Sequence, residues 1–288
     1  MNSIQSKSRN MFILSMCIFG TIGILRRYIP LSSSMVALVR GIIGSLFLMS
    51  VILLSKKNLD KNAIRKNLFL LSLSGIAIGF NWILLFEAYN YTSVATATLC
   101  YYLAPILVIL ASPFVLKEKM TLKKAACAAV ALLGMVLVSG VTESGFSGAA
   151  ELKGIFFGIG AAVLYAGVIL TNKKMPAMPA YDKTIIQLTA ASAALLPYVL
   201  LTEDLTAVSF APVSVVLLLI AGIVHTGLAY WLYFGAISNL PSHSVALLSY
   251  IDPVLAIVLS LVFLQEPMSI ASGIGAVMIL GAAFVCEK

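Results

Sequence analysis

Long apolar runs constrain this chain more than any other feature of its sequence. They recur along all 288 residues, and many reach about 20 residues, the length of a helix that crosses the hydrocarbon core of a bilayer. Hydrophobic residues make up 61% of the chain and charged residues only 10%, against roughly 45–50% and about 25% in soluble domains. The sequence therefore predicts a protein that lies within a membrane.

The apolar runs divide into ten candidate spans. None of them alternates apolar and polar residues with a period of two, so helices are expected rather than barrel strands. The sequence predicts an all-α integral membrane protein with ten transmembrane helices. The predicted spans are residues 11–30, 34–54, 68–90, 94–116, 122–141, 152–172, 184–201, 213–235, 242–264 and 270–286.

The basic residues predict the orientation of these spans. If the N-terminus is inside, fifteen of the nineteen lysines and arginines fall in cytoplasmic segments. Arg26, Arg27 and Lys153 fall outside, and Arg40 lies within a span. The positive-inside rule thus predicts a multi-pass protein of the cytoplasmic membrane with both termini in the cytoplasm. The net charge of +8 is interpreted as this topology signal, and no nucleic-acid partner is predicted.

An internal repeat relates the two halves of the chain. Positions 79–121 match positions 227–269 without a gap. Tyr102 matches Tyr250, and Pro105 matches Pro253, at one constant spacing of 148 positions. We interpret the chain as two five-helix units, residues 1–143 and 144–288.

The odd number of spans in each unit predicts that the second unit enters the membrane inverted. Inverted repeats are an architecture of secondary transporters. Two related units can adopt two mirror-related arrangements of similar free energy, one open inward and one open outward. The repeat therefore indicates transport by alternating access.

The repeated segments resemble the EamA-like family of the drug/metabolite transporter superfamily. The residues that carry the resemblance are FEAYNYTSVATATLCYYLAPILVILASPFVLKEKMT (86–121) and FGAISNLPSHSVALLSYIDPVLAIVLSLVFLQEPMS (234–269). The resemblance implies ten helices, a central cavity lined by both halves and movement of a small metabolite, with export as the expected direction. It leaves the cargo open.

Asp252 is the strongest candidate for a site residue. It lies near mid-depth of the ninth span, where transporter sites usually lie, and it replaces an alanine of the first repeat, Ala104. Ionisable residues at such depth are expensive and usually functional. We expect Asp252 to bind a cation or a substrate amine, or to take up a proton. The alternative is a structural role, in which Asp252 caps backbone groups freed by its own proline or pairs with another side chain.

Two further charged residues and a histidine lie within predicted spans. Arg40 and Glu87 are at similar depth toward the outer side, so a salt bridge between them is one hypothesis and direct substrate contact is another. His225 could relay protons, or it could be a neutral histidine bonded between helices.

Aromatic and polar side chains in the repeat segments are candidates for lining a cavity or stacking on a cation. The alternative for each is packing. Pro105 and Pro253 each remove a backbone hydrogen bond, which predicts a broken helix that faces protein or a cavity. The aromatic and polar candidates are Asn81, Trp82, Tyr101, Tyr102 and Tyr250.

Glu118 and Glu266 occupy equivalent positions after the proline-containing spans. Each precedes a predicted helix start by three residues, so each carboxylate is expected to approach the positive N-terminus of the next helix.

The expected function is secondary active transport of a small organic metabolite, amino-acid-like or amphipathic, across the cytoplasmic membrane. Proton coupling would follow if Asp252 or Glu87 titrates. An intramembrane enzyme is disfavoured, because the sequence has no HExxH motif and no second deep aspartate. A channel or a non-transporting membrane protein is the alternative. No cofactor or metal is predicted, and the oligomeric state is left open.

Overall fold

The computed structural model describes residues 3–55, 59–117, 119–138, 149–176, 178–205, 211–237, 239–240 and 248–287. Within these ranges every regular element is a helix. Glu118, whose carboxylate was predicted to approach a helix N-terminus, lies outside the described residues. So do residues 242–247, the first six of the predicted ninth span. The helices are α1 (Ser3–Gly20), α2 (Ile22–Arg27), α3 (Ser33–Leu54), α4 (Lys61–Tyr91), α5 (Val94–Tyr101), α6 (Ala104–Val115), α7 (Leu122–Val138), α8 (Ala149–Lys174), α9 (Ala180–Thr202), α10 (Pro212–Leu219), α11 (Ala229–Ile237), α12 (Ile251–Phe263) and α13 (Ile270–Glu287), with a π-helical segment (Ile220–Leu228) between α10 and α11.

Seven helical segments of the described chain are long and apolar enough to cross a membrane. The other three predicted spans correspond to the shorter helices α7, α12 and α13. The structure is thus an all-helical, multi-pass membrane protein. The seven long segments are Gln5–Arg27, Ser33–Leu54, Lys61–Tyr91, Val94–Val115, Ala149–Lys174, Ala180–Thr202 and Pro212–Tyr233.

The predicted fourth span is broken where its proline stands. Helix α5 ends at Tyr101, the chain turns through Tyr102 and Leu103, and α6 begins at Ala104 with Pro105 in its first turn. Proline is well suited to a first helical turn, since its missing N–H has no partner there in any case. The break that the sequence predicts at Pro105 is confirmed.

The same local conformations recur at equivalent positions of the repeat. Tyr102 has φ −73° and ψ 5°, and Tyr250 has φ −73° and ψ −8°. Further along, Lys117 and Gln265 both adopt positive φ, at 57° and 52°. A non-glycine residue at positive φ is uncommon, so its occurrence at two positions spaced by 148 shows that the two segments share local geometry.

The most extensive helix contacts are related between the two halves of the chain. If each predicted span is exchanged with the one five places away, these contacts map onto other contacts. Helix α4 packs on α8, and α1 correspondingly packs on α11. Helix α4 also packs on α9, as the π-helical segment packs on α3. Helix α7 packs on α13, a pair that the exchange leaves unchanged.

Close helix packing predicts which glycines tolerate a methyl group. A Cβ added at Gly75 in α4 would overlap the carbonyl oxygen of Gln187 and lie 2.7 Å from Cβ of Ala190 in α9. Gly75→Ala should therefore lower the free energy of unfolding by about 1–3 kcal/mol. Gly167 has nothing within 4 Å of such an atom, so Gly167→Ala is the matched control and should cost nothing.

Thermal unfolding of both glycine variants in detergent micelles measures this difference. Equal losses at Gly75 and Gly167 would contradict the close packing of α4 on α9.

Candidate functional site

A cavity of about 580 Å³ lies between the two halves of the chain. Its wall is mixed in chemistry, with aromatic rings, amides, one arginine, one lysine and one carboxylate. The first half contributes residues from α1 to α6, and the second half contributes residues from α8 to α12. Lining residues used below are Arg40, Asn81, Trp82, Phe86, Tyr89, Tyr101, Tyr102, Pro105, Tyr165, Asn172, Lys173, Thr184, Gln187, Tyr230, Tyr233, Tyr250 and Asp252.

Asp252 lies in the first turn of α12, directly before Pro253. The hydroxyl of Tyr102 donates a hydrogen bond of 2.7 Å to Oδ2 of Asp252. Tyr102 is the residue at which the equivalent helix of the first half breaks, so the two broken helices meet through this bond. Asp252 is eight residues before Ser260, so it lies about 12 Å from Ser260 along α12.

Tyrosines form much of the wall around Asp252. The rings of Tyr101 and Tyr165 lie 5.2 Å apart, and Tyr250 stands edge-on to Phe284 at 5.9 Å. Tyr89, Tyr165 and Tyr233 also line the cavity, and the sequence did not single them out. Their repeat counterparts are not tyrosines, so comparison of the two halves gave no signal for them.

Arg40 reaches the cavity from the middle of α3. Its Nε donates a hydrogen bond of 3.0 Å to Oγ1 of Thr226. Its guanidinium lies 4.5 Å from the ring centre of Trp82 and 5.4 Å from that of Phe86. Thr226 in turn donates to the carbonyl of Ala221, inside the π-helical segment.

The salt bridge between Arg40 and Glu87, one of the two hypotheses from the sequence, is not formed. No ion pair joins them in the described chain, and Oε2 of Glu87 instead accepts a weak hydrogen bond of 3.4 Å from Asn90. Trp82 and Phe86 are four residues apart on α4 and share the face that meets Arg40. Glu87 is one residue further, about 100° around the helix, and it does not line the cavity.

His225 and Asn81 each make a hydrogen bond to a neighbouring helix. His225 is buried, with Nε2 2.8 Å from Oγ1 of Thr21, and it does not line the cavity. Asn81 lines the cavity but also donates a 2.6 Å bond to the carbonyl of Ala161 on α8. Pro253 is buried beside Asp252 and is not among the residues that line the cavity.

Glu266 binds at a helix N-terminus, but not at the one predicted. Its Oε2 accepts hydrogen bonds from the backbone N–H of Val94, at 2.7 Å, and from the hydroxyl of Ser260. Its Oε1 lies 2.6 Å from Nη2 of Arg27. These four residues, called the Glu266 cluster below, bring α2 and α5 of the first half against α12 of the second.

The cavity extends to the end of the bundle opposite the Glu266 cluster. Gly154 of α8 packs on Thr92, beside the cluster. Lys173 lies nineteen residues further along the same helix, about 28 Å away. Asn172, Lys173 and Thr184 line the cavity, whereas the members of the Glu266 cluster do not.

Across the described ranges, no set of three or more His, Cys, Asp or Glu side chains could hold a metal ion.

Apolar helices surround a cavity of mixed polar and aromatic lining, and comparison with known proteins gives the class of protein, a membrane transporter. The sequence profile of the EamA-like transporter family matches residues 10–140 and 152–286. The chain therefore belongs to the EamA-like transporter family, within the drug/metabolite transporter superfamily.

Two curated relatives and one solved structure match nearly the whole chain. It is 29% identical to the uncharacterized transporter YxxF of Bacillus subtilis (strain 168), over 96% of this chain and 89% of that protein. It is 28% identical to the protein PecM of Dickeya dadantii (strain 3937), over 94% and 89%. A protein crystal structure at 20% identity covers 98% of this chain and 96% of its own, with a TM-score of 0.67. The similarity to this crystal structure shows a shared fold alone.

Proposed function

We propose that the chain is a secondary carrier that moves a small organic metabolite across the cytoplasmic membrane by alternating access. The observation that carries the proposal is the cavity between the halves, in which Asp252 of one half is bonded to Tyr102 of the other. A site formed by both halves becomes accessible from the other side of the membrane when the halves move relative to each other. Channel function would not need such a shared, chemically mixed wall.

Two inverted five-helix units, residues 1–143 and 144–288, are the moving parts in this proposal. Three observations support that division. They are the corresponding helix contacts in the two halves, the matched backbone conformations at Tyr102 and Tyr250, and the two matches to the family profile. With both termini in the cytoplasm, the Lys173 end of the cavity faces inward and the Glu266 cluster faces outward. Arg27 then has a local reason to lie on the outer side, since it pairs with Glu266.

The conformation fits a carrier that is open inward. The cavity wall reaches Lys173, and the Glu266 cluster bridges the halves at the other end. A solute loaded from the cytoplasmic side would be released outside once that cluster opens. Export is the proposed direction, as the family resemblance implies, and Asp252 is the proposed site of proton exchange.

Flux into vesicles that contain the purified chain tests the carrier proposal. Vesicles preloaded with an unlabelled metabolite should accumulate the labelled compound transiently, because a carrier exchanges one bound solute for another. Uptake should also saturate. A channel would show flux without such counterflow, a scaffold would show neither, and either result with a broad metabolite panel would contradict the proposal.

A further inference from the structure

Arg40 is a buried cation that has no carboxylate partner among the residues that the structure describes. Its side chain is only 5% exposed, yet no carboxylate lies within 4 Å in the described chain. Glu87 accepts a hydrogen bond from Asn90, and Asp252 accepts one from Tyr102. Burial of an unpaired charge is expensive, and arginine cannot lose its charge at accessible pH.

The free donors of Arg40 are its two Nη groups. Nε is used on Thr226, whereas neither Nη group bonds to any residue in the described ranges. Neither is among the buried polar atoms sealed from solvent without a partner. They must therefore face the cavity that Arg40 lines. Arg26, also buried, differs because its Nη groups are bonded to Ile29 and Ser33.

A guanidinium held by its Nε edge and stacked on aromatic rings presents a rigid pair of N–H donors. That arrangement matches the two oxygens of a carboxylate, and such charge-assisted paired bonds are strong and directional. We propose that Arg40 binds the carboxylate of the transported solute. The proposal rests on the carrier function above and names the substrate class, a small organic acid.

The rest of the wall favours a carboxylate that carries an apolar body. Trp82 and Phe86 flank the guanidinium, and Tyr101 and Tyr165 extend the aromatic surface. Asp252, when ionised, adds negative charge to the same cavity, which disfavours a phosphate dianion and leaves room for an amine on the solute. Amino acids are thus members of the class, with the amine toward Asp252.

Matched pairs of aromatic acids and amides test the assignment on the purified, full-length chain. The probes are 3-phenylpropionate with its amide, phenylalanine with its amide, and phenyl phosphate. The chain has two tryptophans, so Trp231→Phe leaves Trp82, beside Arg40, as the fluorescent reporter. Thermal shift gives a second readout.

Each acid is expected to bind at least about tenfold more tightly than its amide, in keeping with a charged hydrogen bond. Arg40→Gln should remove that preference, and Arg40→Lys should retain part of it. Lys153→Gln, which removes an exposed lysine bonded to Tyr91, should leave it unchanged. Size exclusion and circular dichroism check folding, and the acid–amide comparison on the wild type stands even if Arg40→Gln does not fold.

Equal binding of acids and amides would overturn the assignment. So would tighter binding of phenyl phosphate, a preference that survives in Arg40→Gln, or no binding of any acid. Flux measurements in vesicles distinguish a failure of the carboxylate site at Arg40 from a failure of the carrier proposal. Acids that bind through Arg40 but never undergo counterflow would overturn only the carrier function, and flux of a solute whose binding ignores Arg40 would overturn only the carboxylate site.

Discussion

Asp252→Asn should remove the response of solute flux to a proton gradient while leaving exchange at equal pH in place. Asparagine has nearly the same shape as aspartate and can still accept the hydrogen bond from Tyr102, but it cannot bind and release a proton. The gradient-driven component should fall to the level of protein-free vesicles. Flux measured with and without an imposed pH difference gives the comparison.

The expected effect is large because Asp252 has no substitute in the cavity. It is the one acidic side chain among the lining residues of the described chain. Its partner Tyr102 belongs to the opposite half, so movement of the halves changes the environment of the carboxylate. Coupling requires such a dependence of proton affinity on conformation.

Asp182→Asn is the matched control. Asp182 is also buried, and its Oδ2 accepts a 2.8 Å bond from the backbone N–H of Asp60, but it does not line the cavity. It should leave the gradient response unchanged. Tyr102→Phe keeps a titratable carboxylate and should retain a response. An Asp252→Asn variant that responds to the gradient as the wild type does would contradict proton exchange at this residue.

Features that depend on chain position were predictable from the sequence. The length of the apolar runs predicted helices, and the proline of the repeat predicted the helix break after Tyr101. Depth along a helix placed Asp252 and Tyr102 in the membrane interior, and both line the cavity. Each of these follows from counting residues along one helix.

Features that depend on rotation between helices were not predictable. Arg40 and Glu87 have similar depth, but a difference of one residue on α4 turns Glu87 away and brings Phe86 to Arg40. Likewise, a carboxylate after α12 was expected at a helix N-terminus, and Glu266 does bind one. The helix is α5 of the other half, which only the packing of the two halves could reveal.

Glu266→Ala should destabilise the protein far more than removal of another carboxylate at the same end. It leaves the Val94 N–H and the Arg27 guanidinium without their shared acceptor. Loss of a charged acceptor in a half-buried cluster should lower the free energy of unfolding by about 2–4 kcal/mol. Glu87→Ala, which loses a long hydrogen bond from Asn90 and no ion pair in the described chain, is the control and should cost about 0.5 kcal/mol or less.

Denaturant unfolding of both variants in the same micelle compares these losses. A double-mutant cycle with Arg27→Gln isolates the ion pair, since the double variant should lose less than the two single losses combined. Additive losses, or equal losses for Glu266→Ala and Glu87→Ala, would contradict the bridging role of the cluster.

Linking the two sides of the Glu266 cluster covalently should stop transport altogether. In the carrier mechanism this cluster separates in every cycle, so Arg27→Cys with Glu266→Cys should lose counterflow when the two thiols are joined by a short bis-methanethiosulfonate, which forms a disulfide with each cysteine and releases sulfinate. Reduction should restore it. Native cysteines must first be replaced, and each single-cysteine variant treated with the same reagent is the control. Counterflow that continues while the cross-link is intact would show that the halves need not part at this end, and release through the outer side would then require another route.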